Sequence, residues 1–441
     1  MNSERDVADV IVVGGGWSGI ATAWRLHRHG LRPVLIDDRP TLGGRSAQTS
    51  LGSRTVTLGG KNIGRKYTHF REFAAELGLG ASDFEHFGIN SSRIEDSRLR
   101  TVDSTGRAAS VYGLLRGIPP RDLARILRLA WYTRRERANA FCSGPDFDRL
   151  AARTGDPSLA EYFGTTLRQR LVRPAVVRMN GAEPDETHLG NFGTNLGMLL
   201  DSFDQLTHGF TPLLDGFRGQ IATHTATRVT GLTVDSGRVT GVRATTEAGE
   251  QLTLTADAVV LAVPAPAAAA LTAEHQPALA EQLGAVRYFP VAVVIAEYDR
   301  PVFDERVRAL TFPPDCPLSN AGAYGVTDRH IVRYTFSGRA ARSLPPGNDD
   351  LITLAEKELG AHLDLTTPRR TGAVTARWEH GLCAYSPFHS STLTKINTLS
   401  KELAGLTLTG DYVRGASIEA CFRAAYERTD AVIRTLTPRI P

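Results

Sequence analysis

Residues 12–26, VVGGGWSGIATAWRL, set Gly14, Gly16 and Gly19 in a Gly-x-Gly-x-x-Gly spacing directly after an apolar run. The chemistry open to that spacing is the holding of a pyrophosphate. The first glycine permits a tight turn, and the second lets the backbone approach the phosphates. The third lets the following helix pack against the strand, and the helix N-terminus faces the negative charge. Gly15 reads as a small residue within the turn. Asp37 follows about 20 positions on, where a carboxylate can accept from a ribose hydroxyl. The run DDRPTLGGRSAQT then adds Arg39, Gly43, Gly44 and Arg45. Paired glycines let backbone run close beside a bound group, and a guanidinium after them can neutralise a pyrophosphate.

These residues need elements to position them. The sequence predicts a buried strand over residues 10–13, a helix from Trp17 to about His29 ended by Gly30, and a second strand in LRPVLIDDR. That is a strand–helix–strand unit with the glycines at its first turn and Asp37 at the end of its second strand. The unit predicts dinucleotide binding and leaves NAD(P) and FAD both open.

The 441-residue chain is 41% hydrophobic and 22% charged, enough for two domains with cores of their own. Net charge is +4, and of 51 basic residues only Lys61, Lys66, Lys357, Lys395 and Lys401 are lysine. The arginines are dispersed rather than gathered on one stripe, which argues against a nucleic-acid partner. Cys142, Cys316, Cys383 and Cys421 stand far apart without a CxxC pair, so neither a metal site nor a disulfide framework is expected. The opening MNSERDVADV lacks a signal pattern, and no run reaches the roughly 18 apolar residues of a spanning helix, so a cytoplasmic protein is expected.

Asp37, Arg39 and Gly43-Gly44-Arg45, in that spacing, resemble the extended motif of the flavin-containing amine oxidase superfamily, which includes protoporphyrinogen oxidases and carotenoid desaturases. Residues 56–79, VTLGGKNIGRKYTHFREFAAELGL, resemble the family segment in which Gly59-Gly60 would pass the flavin ring before a helix. The β-meander sequence beginning ATRVTGLTVD resembles the second cofactor block, placing Val229 against the adenine. Residues 405–427, GLTLTGDYVRGASIEACFRAAYE, resemble the C-terminal block. There the resemblance implies that Gly410 and Asp411 reach the ribityl chain and phosphate. It also aims a helix N-terminus near Ser417 and Ile418 at the flavin, where it can stabilise negative charge on the reduced ring. FAD is therefore the implied cofactor, held non-covalently, with a Cys383 thioether as the covalent alternative.

The resemblance implies an α/β fold. A Rossmann-like FAD-binding domain of glutathione-reductase type (1–95, 212–275, 376–441) is interleaved with an α+β substrate domain built on a mixed sheet (96–211, 276–375). Residues 118–141 carry Leu123, Ile126, Leu127, Ala130 and Trp131 on one helix face, read as lining or lidding the substrate pocket, with a membrane-surface role as the alternative.

Many amine oxidases of this superfamily place a lysine on a substrate-domain strand. Alignment of VIAEYDRPVF by its Tyr and Pro-Phe puts Val294 there, a departure from the usual amine oxidase arrangement. Lys61 is then the lysine expected near the flavin, in an electrostatic or acid/base role. Residues 376–389, ARWEHGLCAYSPFH, resemble a segment of protoporphyrinogen oxidases and offer Tyr385 as part of an aromatic wall. Glu419, at its helix start, is expected to be a cap-region charge, with a flavin-edge position as the alternative. The function implied is an FAD-dependent oxidase or dehydrogenase taking a hydride from a small organic substrate, by C–N oxidation of an amine or amide, with dioxygen as acceptor. A C–C desaturase or porphyrinogen-oxidase-like enzyme is the alternative, and a non-catalytic binding protein on the same fold the remote one.

Overall fold

The computed structural model describes residues 8–87, 91–95, 98–100, 116–305 and 307–437. It is a mixed α/β structure with two seven-stranded sheets. In the first sheet the strands run Ala222–His224, Pro33–Ile36, Ala8–Val13, Gln251–Leu261, Arg238–Thr246 and Thr227–Asp235, and Leu406–Leu408 also pairs with Gln251–Leu261. The strand Gln251–Leu261 serves two neighbourhoods. Its first half pairs antiparallel with the meander strand Arg238–Thr246, and its second half pairs parallel with Ala8–Val13 and Leu406–Leu408. Its burial follows suit, alternating over QLTLTADA and then continuously buried over VVL, as a strand does when both faces become covered. The helix Trp17–Arg28 packs on Ala8–Val13 and against the long C-terminal helix Ile418–Leu436.

The second sheet runs Arg370–Cys383, Tyr288–Tyr298, Ile331–Phe336, Leu318–Ala323, Ala309–Thr311, Ser91–Glu95 and Arg98–Arg100. Its pairing is antiparallel except where Ala309–Thr311 lies parallel to Ser91–Glu95, so the sheet is mixed. Residues 91–95 and 376–383 are hydrogen-bonded into this sheet, so the expected domain boundaries at 95 and 376 fall inside its pairings.

Alternation along Tyr288–Tyr298 decides what the sheet offers to each side. Ala292, Val294 and Ala296 enter a core with Val332, Tyr334, Phe336 and the helix Asn348–Gly360. Val291 and Val293 point the other way. Val294, expected at the position of the missing lysine, is therefore a core residue on the far face. The residues that do face inward at that level are also valines.

The helix Pro120–Arg135 corrects a second expectation. Its buried positions are Asp122, Ile126, Leu129 and Thr133, while Leu127 and Trp131 are exposed. Asp122 sets this phase by accepting the Gly164 N–H at 2.9 Å. The helix packs over the helical region 145–199 and contributes nothing to the central cavity. Among the described residues no helix is long and apolar enough to cross a membrane.

Candidate functional site

A single cavity of about 1300 Å³ lies between the two sheets, larger than the usual range for one small ligand. One end is built from the glycine turn. Gly14 has φ +109°, and a Cβ there would meet the Ala262 carbonyl oxygen at 2.8 Å. A Cβ on Gly19 would fall 1.7 Å from the Gly14 carbonyl oxygen, so this glycine stands behind the cavity wall and lets helix and turn touch. Gly16 is the contrast: a Cβ there meets nothing nearer than the Gly44 Cα at 3.9 Å, and the position looks into the cavity. Gly15 does more than fill the turn. Its N–H donates to Asp37 Oδ2 at 2.5 Å, and the Arg39 N–H donates to Oδ1 at 2.9 Å. Burial pushes the Asp37 carboxyl upward, partly offset by these donors.

Arg39, Gly43, Gly44 and Arg45 line the same end. Arg45 donates to Asp411 Oδ2 at 2.8 Å and to the Gly381 carbonyl at 2.9 Å. Burial works against its charge, but Asp411 more than offsets this and holds the guanidinium above its ordinary range. Asp411 is 2% exposed and also accepts the Tyr288 hydroxyl at 2.6 Å. Gly410, Asp411, Ser417 and Ile418 all reach the cavity, and Ser417 caps the helix Ile418–Leu436 by accepting the Ala420 N–H. The positive end of a 19-residue helix thus opens onto the site. Val229 lies on the wall at the meander end.

Gly59 and Gly60 run under Arg45 and Ser46. A Cβ on Gly59 would fall 1.3 Å from the Arg45 carbonyl oxygen, and the Gly60 carbonyl accepts the Ser46 hydroxyl at 2.8 Å. Lys61 then turns toward the second sheet. Its Nζ donates to Gln205 Oε1 at 2.8 Å and to the Tyr324 carbonyl, and sits 4.1 Å from the Tyr324 ring centroid. Burial, reinforced by the charge of Arg333 and opposed by Glu85, brings the amine down to about 7. Tyr385 lines the cavity although only 2% exposed, and its hydroxyl holds the Asp411 turn by donating to the Asp411 carbonyl at 3.1 Å.

The positions of Cys383 and Glu419 add detail to their expected roles. Cys383 is fully buried in the core with Cys142 and Tyr412 and is not on the cavity wall. Burial holds its thiol far above the ordinary range, so neither position nor reactivity suits covalent attachment. Cys421 is the cysteine that reaches the cavity. Glu419 caps a different helix from its own. Its carboxylate accepts from Thr68 Oγ1 and from the N–H groups of His69 and Phe70, at the start of the helix Thr68–Glu76. Arg137 pairs with it at 3.2 Å. Glu419→Ala is expected to lower stability by about 2 kcal/mol, read as a fall in Tm, while flavin content stays at the wild-type level.

A family model described as flavin containing amine oxidoreductase matches residues 17–433. The chain belongs to this family. A Mycobacterium tuberculosis protein named flavin-containing monoamine oxidase AofH is 28% identical over 185 residues. That match takes in 41% of this chain and 38% of the mycobacterial protein. Cyclohexylamine oxidase from Brevibacterium oxydans IH-35A superposes with a TM-score of 0.74 at 17% identity, covering 98% of this chain and 100% of that one. A protein from Exiguobacterium sp. 255-15 named a protoporphyrinogen oxidase gives 0.71 at 17% identity, covering 99% and 100%. At such identities the two structures show a shared fold. Membership of the amine oxidoreductase family implies a flavin cofactor, and the cavity fits one. Gly16 leaves room where a side chain would intrude. Trp17 Nε1, Asn62 Oδ1 and Trp378 Nε1 are buried, belong to wall residues and have no hydrogen-bond partner. Buried polar atoms left in this state point to partners supplied by a ligand.

Proposed function

We propose that this chain is an FAD-dependent oxidase that acts on a small organic substrate by C–N oxidation of an amine or amide. The first sheet and its helices form the Rossmann-like, glutathione-reductase-type cofactor domain, and the second sheet and helical region form the substrate domain. The observation that carries the reading is the convergence of Gly14, Gly16, Asp37, Arg45, Asp411 and the helix end at Ser417 on one cavity. That cavity continues to a wall of Val291, Val293 and Trp378 on the second sheet. Gly14, Gly16, Gly43, Gly44 and Arg45 would hold the pyrophosphate, with Asp37 and Arg39 at the ribose and Val229 at the adenine. Gly59, Gly60, Gly410, Asp411, Ser417 and Ile418 would border the flavin. When bound, FAD supplies the two-electron chemistry, accepting hydride from a C–H bond and passing the electrons to dioxygen. The absence of Cys383 from the wall supports a cofactor held non-covalently.

The protein's own contribution is placement and proton control. Arg45 and Asp411 fix the loop ends around the cofactor, and Tyr385 holds Asp411 in place. Lys61, near neutrality at pH 7, can take or return a proton on the substrate side. Replacement by methionine is expected to cut turnover by about 10²–10³-fold and to remove a titration near pH 7 from the rate profile. A lowered lysine pKa means that the unfolded chain binds more protons between about 7 and its ordinary value. Stability therefore rises with pH across that window in the wild type, and Lys61→Met should flatten the rise. The valines facing the cavity at the level of the lysine expected in amine oxidases favour a second reading, C–C desaturation or porphyrinogen oxidation. An anaerobic screen of amines, amides, porphyrinogens and isoprenoids separates the two. Bleaching of flavin absorption by an amine or amide supports the first reading, and bleaching only by the other classes overturns it.

A further inference from the structure

The far end of the cavity carries positive charge without matching acid. Arg178, on the helix Arg173–Asn180, is exposed on the cavity wall, and it makes no hydrogen bond or ion pair among the described residues. Arg333 projects from the strand Ile331–Phe336, and its guanidinium donates only to the Thr57 carbonyl at 3.1 Å. Arg308 donates to the carbonyls of Gly325 and Val326, at 2.7 and 2.5 Å. Among the described residues no carboxylate pairs with any of these three arginines, in contrast to Arg173, which pairs with Glu183 at 2.8 Å. Burial, together with the neighbouring Arg178 charge, lowers the Arg333 guanidinium to about 10. The same charges reach Lys61, whereas those acting on Arg45 are Asp411 and Tyr288. The cluster is thus separate from the proposed pyrophosphate site.

Like charges gathered on one cavity wall without counterions repel one another, and a fold keeps them where a ligand supplies the missing charge. Arginine is the side chain suited to that task, since its planar fork meets a carboxylate or phosphate with two parallel hydrogen bonds. We propose that the substrate of this enzyme carries an anionic group, a carboxylate or a phosphate, bound by Arg178 and Arg333 with Arg308 beside them. The inference rests on the reading of the cavity as a flavin enzyme's substrate chamber. It narrows the substrate from amines and amides in general to those that also bear an acid. A plain alkylamine, cationic at neutral pH, is disfavoured by the same charges.

The test is titration of the purified holoprotein with benzoate, phenyl phosphate, benzamide and benzylamine, followed by the flavin absorption difference spectrum and by Tm. Benzoate or phenyl phosphate is expected to bind at least tenfold more tightly than benzamide, and the tighter of the two names the group. Arg178→Met is expected to weaken anion binding at least tenfold, with benzamide binding and flavin content unchanged. Without ligand, Arg178→Met and Arg333→Met should each melt at or above the wild-type temperature, since each removes an uncompensated cation. A structural arginine would give the opposite result. Equal binding of benzoate and benzamide, or tighter binding of benzylamine, overturns the proposal. A yellow protein without anion preference refutes this inference alone. A colourless protein refutes the flavin reading, and the Tm shifts still report the anion site.

Discussion

Gly19→Ala is expected to purify with less than a tenth of the wild-type flavin, or to fail to accumulate as folded protein. The added methyl would fall 1.7 Å from the Gly14 carbonyl oxygen, far inside any contact real Cβ atoms make. The clash is with backbone, so no rotamer relieves it. The helix Trp17–Arg28 must move away from the strand Ala8–Val13, and its N-terminal N–H groups then leave the cavity. Gly19 is not itself on the cavity wall, so its substitution removes no contact with a ligand. Displaced backbone alone would account for the loss. Gly16→Ala is the informative partner. A Cβ there meets no protein atom nearer than the Gly44 Cα at 3.9 Å, so the folded apoprotein should survive while flavin content falls. Flavin absorbance per mole of protein, with circular dichroism to confirm folding, separates the two cases.

Asp411→Ala carries the second large effect. It deprives Arg45 of its ion pair and leaves the Tyr288 hydroxyl without its acceptor, at a position only 2% exposed. Breaking a buried pair by removing one partner costs about 3–5 kcal/mol, because the remaining charge stays desolvated. A substantial fall in Tm and a drop in flavin occupancy are both expected. Asp411→Asn keeps an acceptor for Tyr288 but removes the charge that Arg45 requires. It should therefore recover part of the stability and little of the flavin. Equal Tm in wild type and Asp411→Ala would refute the role given to this pair.

The glycine turn that builds one end of the cavity was legible in the sequence because its determinants are local. Glycines at fixed spacing after an apolar run act on atoms a few residues away, and Asp37 is brought back to the turn by one strand–helix–strand unit. Even there the sequence understated Gly15, whose N–H holds Asp37. The substrate end was not legible, for two physical reasons. A strand offers its faces alternately, so an alignment one residue out selects the wrong side, which is how Val294 was taken for a site position in place of Val293. The other reason is distance along the chain. Arg178, Arg308 and Arg333 meet only when a helix and two segments of the second sheet assemble, and nothing marks them among the many dispersed arginines. Glu419 is the same lesson in smaller form. Its place in the first turn of its own helix is legible, but only packing brings its carboxylate to the start of the helix Thr68–Glu76 as well.

The central claim is that this chain holds FAD non-covalently in the cavity between its sheets. Acid denaturation of the purified protein, followed by chromatography of the supernatant against FAD and FMN standards, tests it directly. The expected result is a yellow protein that releases FAD, close to one per chain, and leaves a colourless pellet. Flavin retained in the pellet, release of FMN alone, or a colourless protein that takes up no added FAD would contradict the claim.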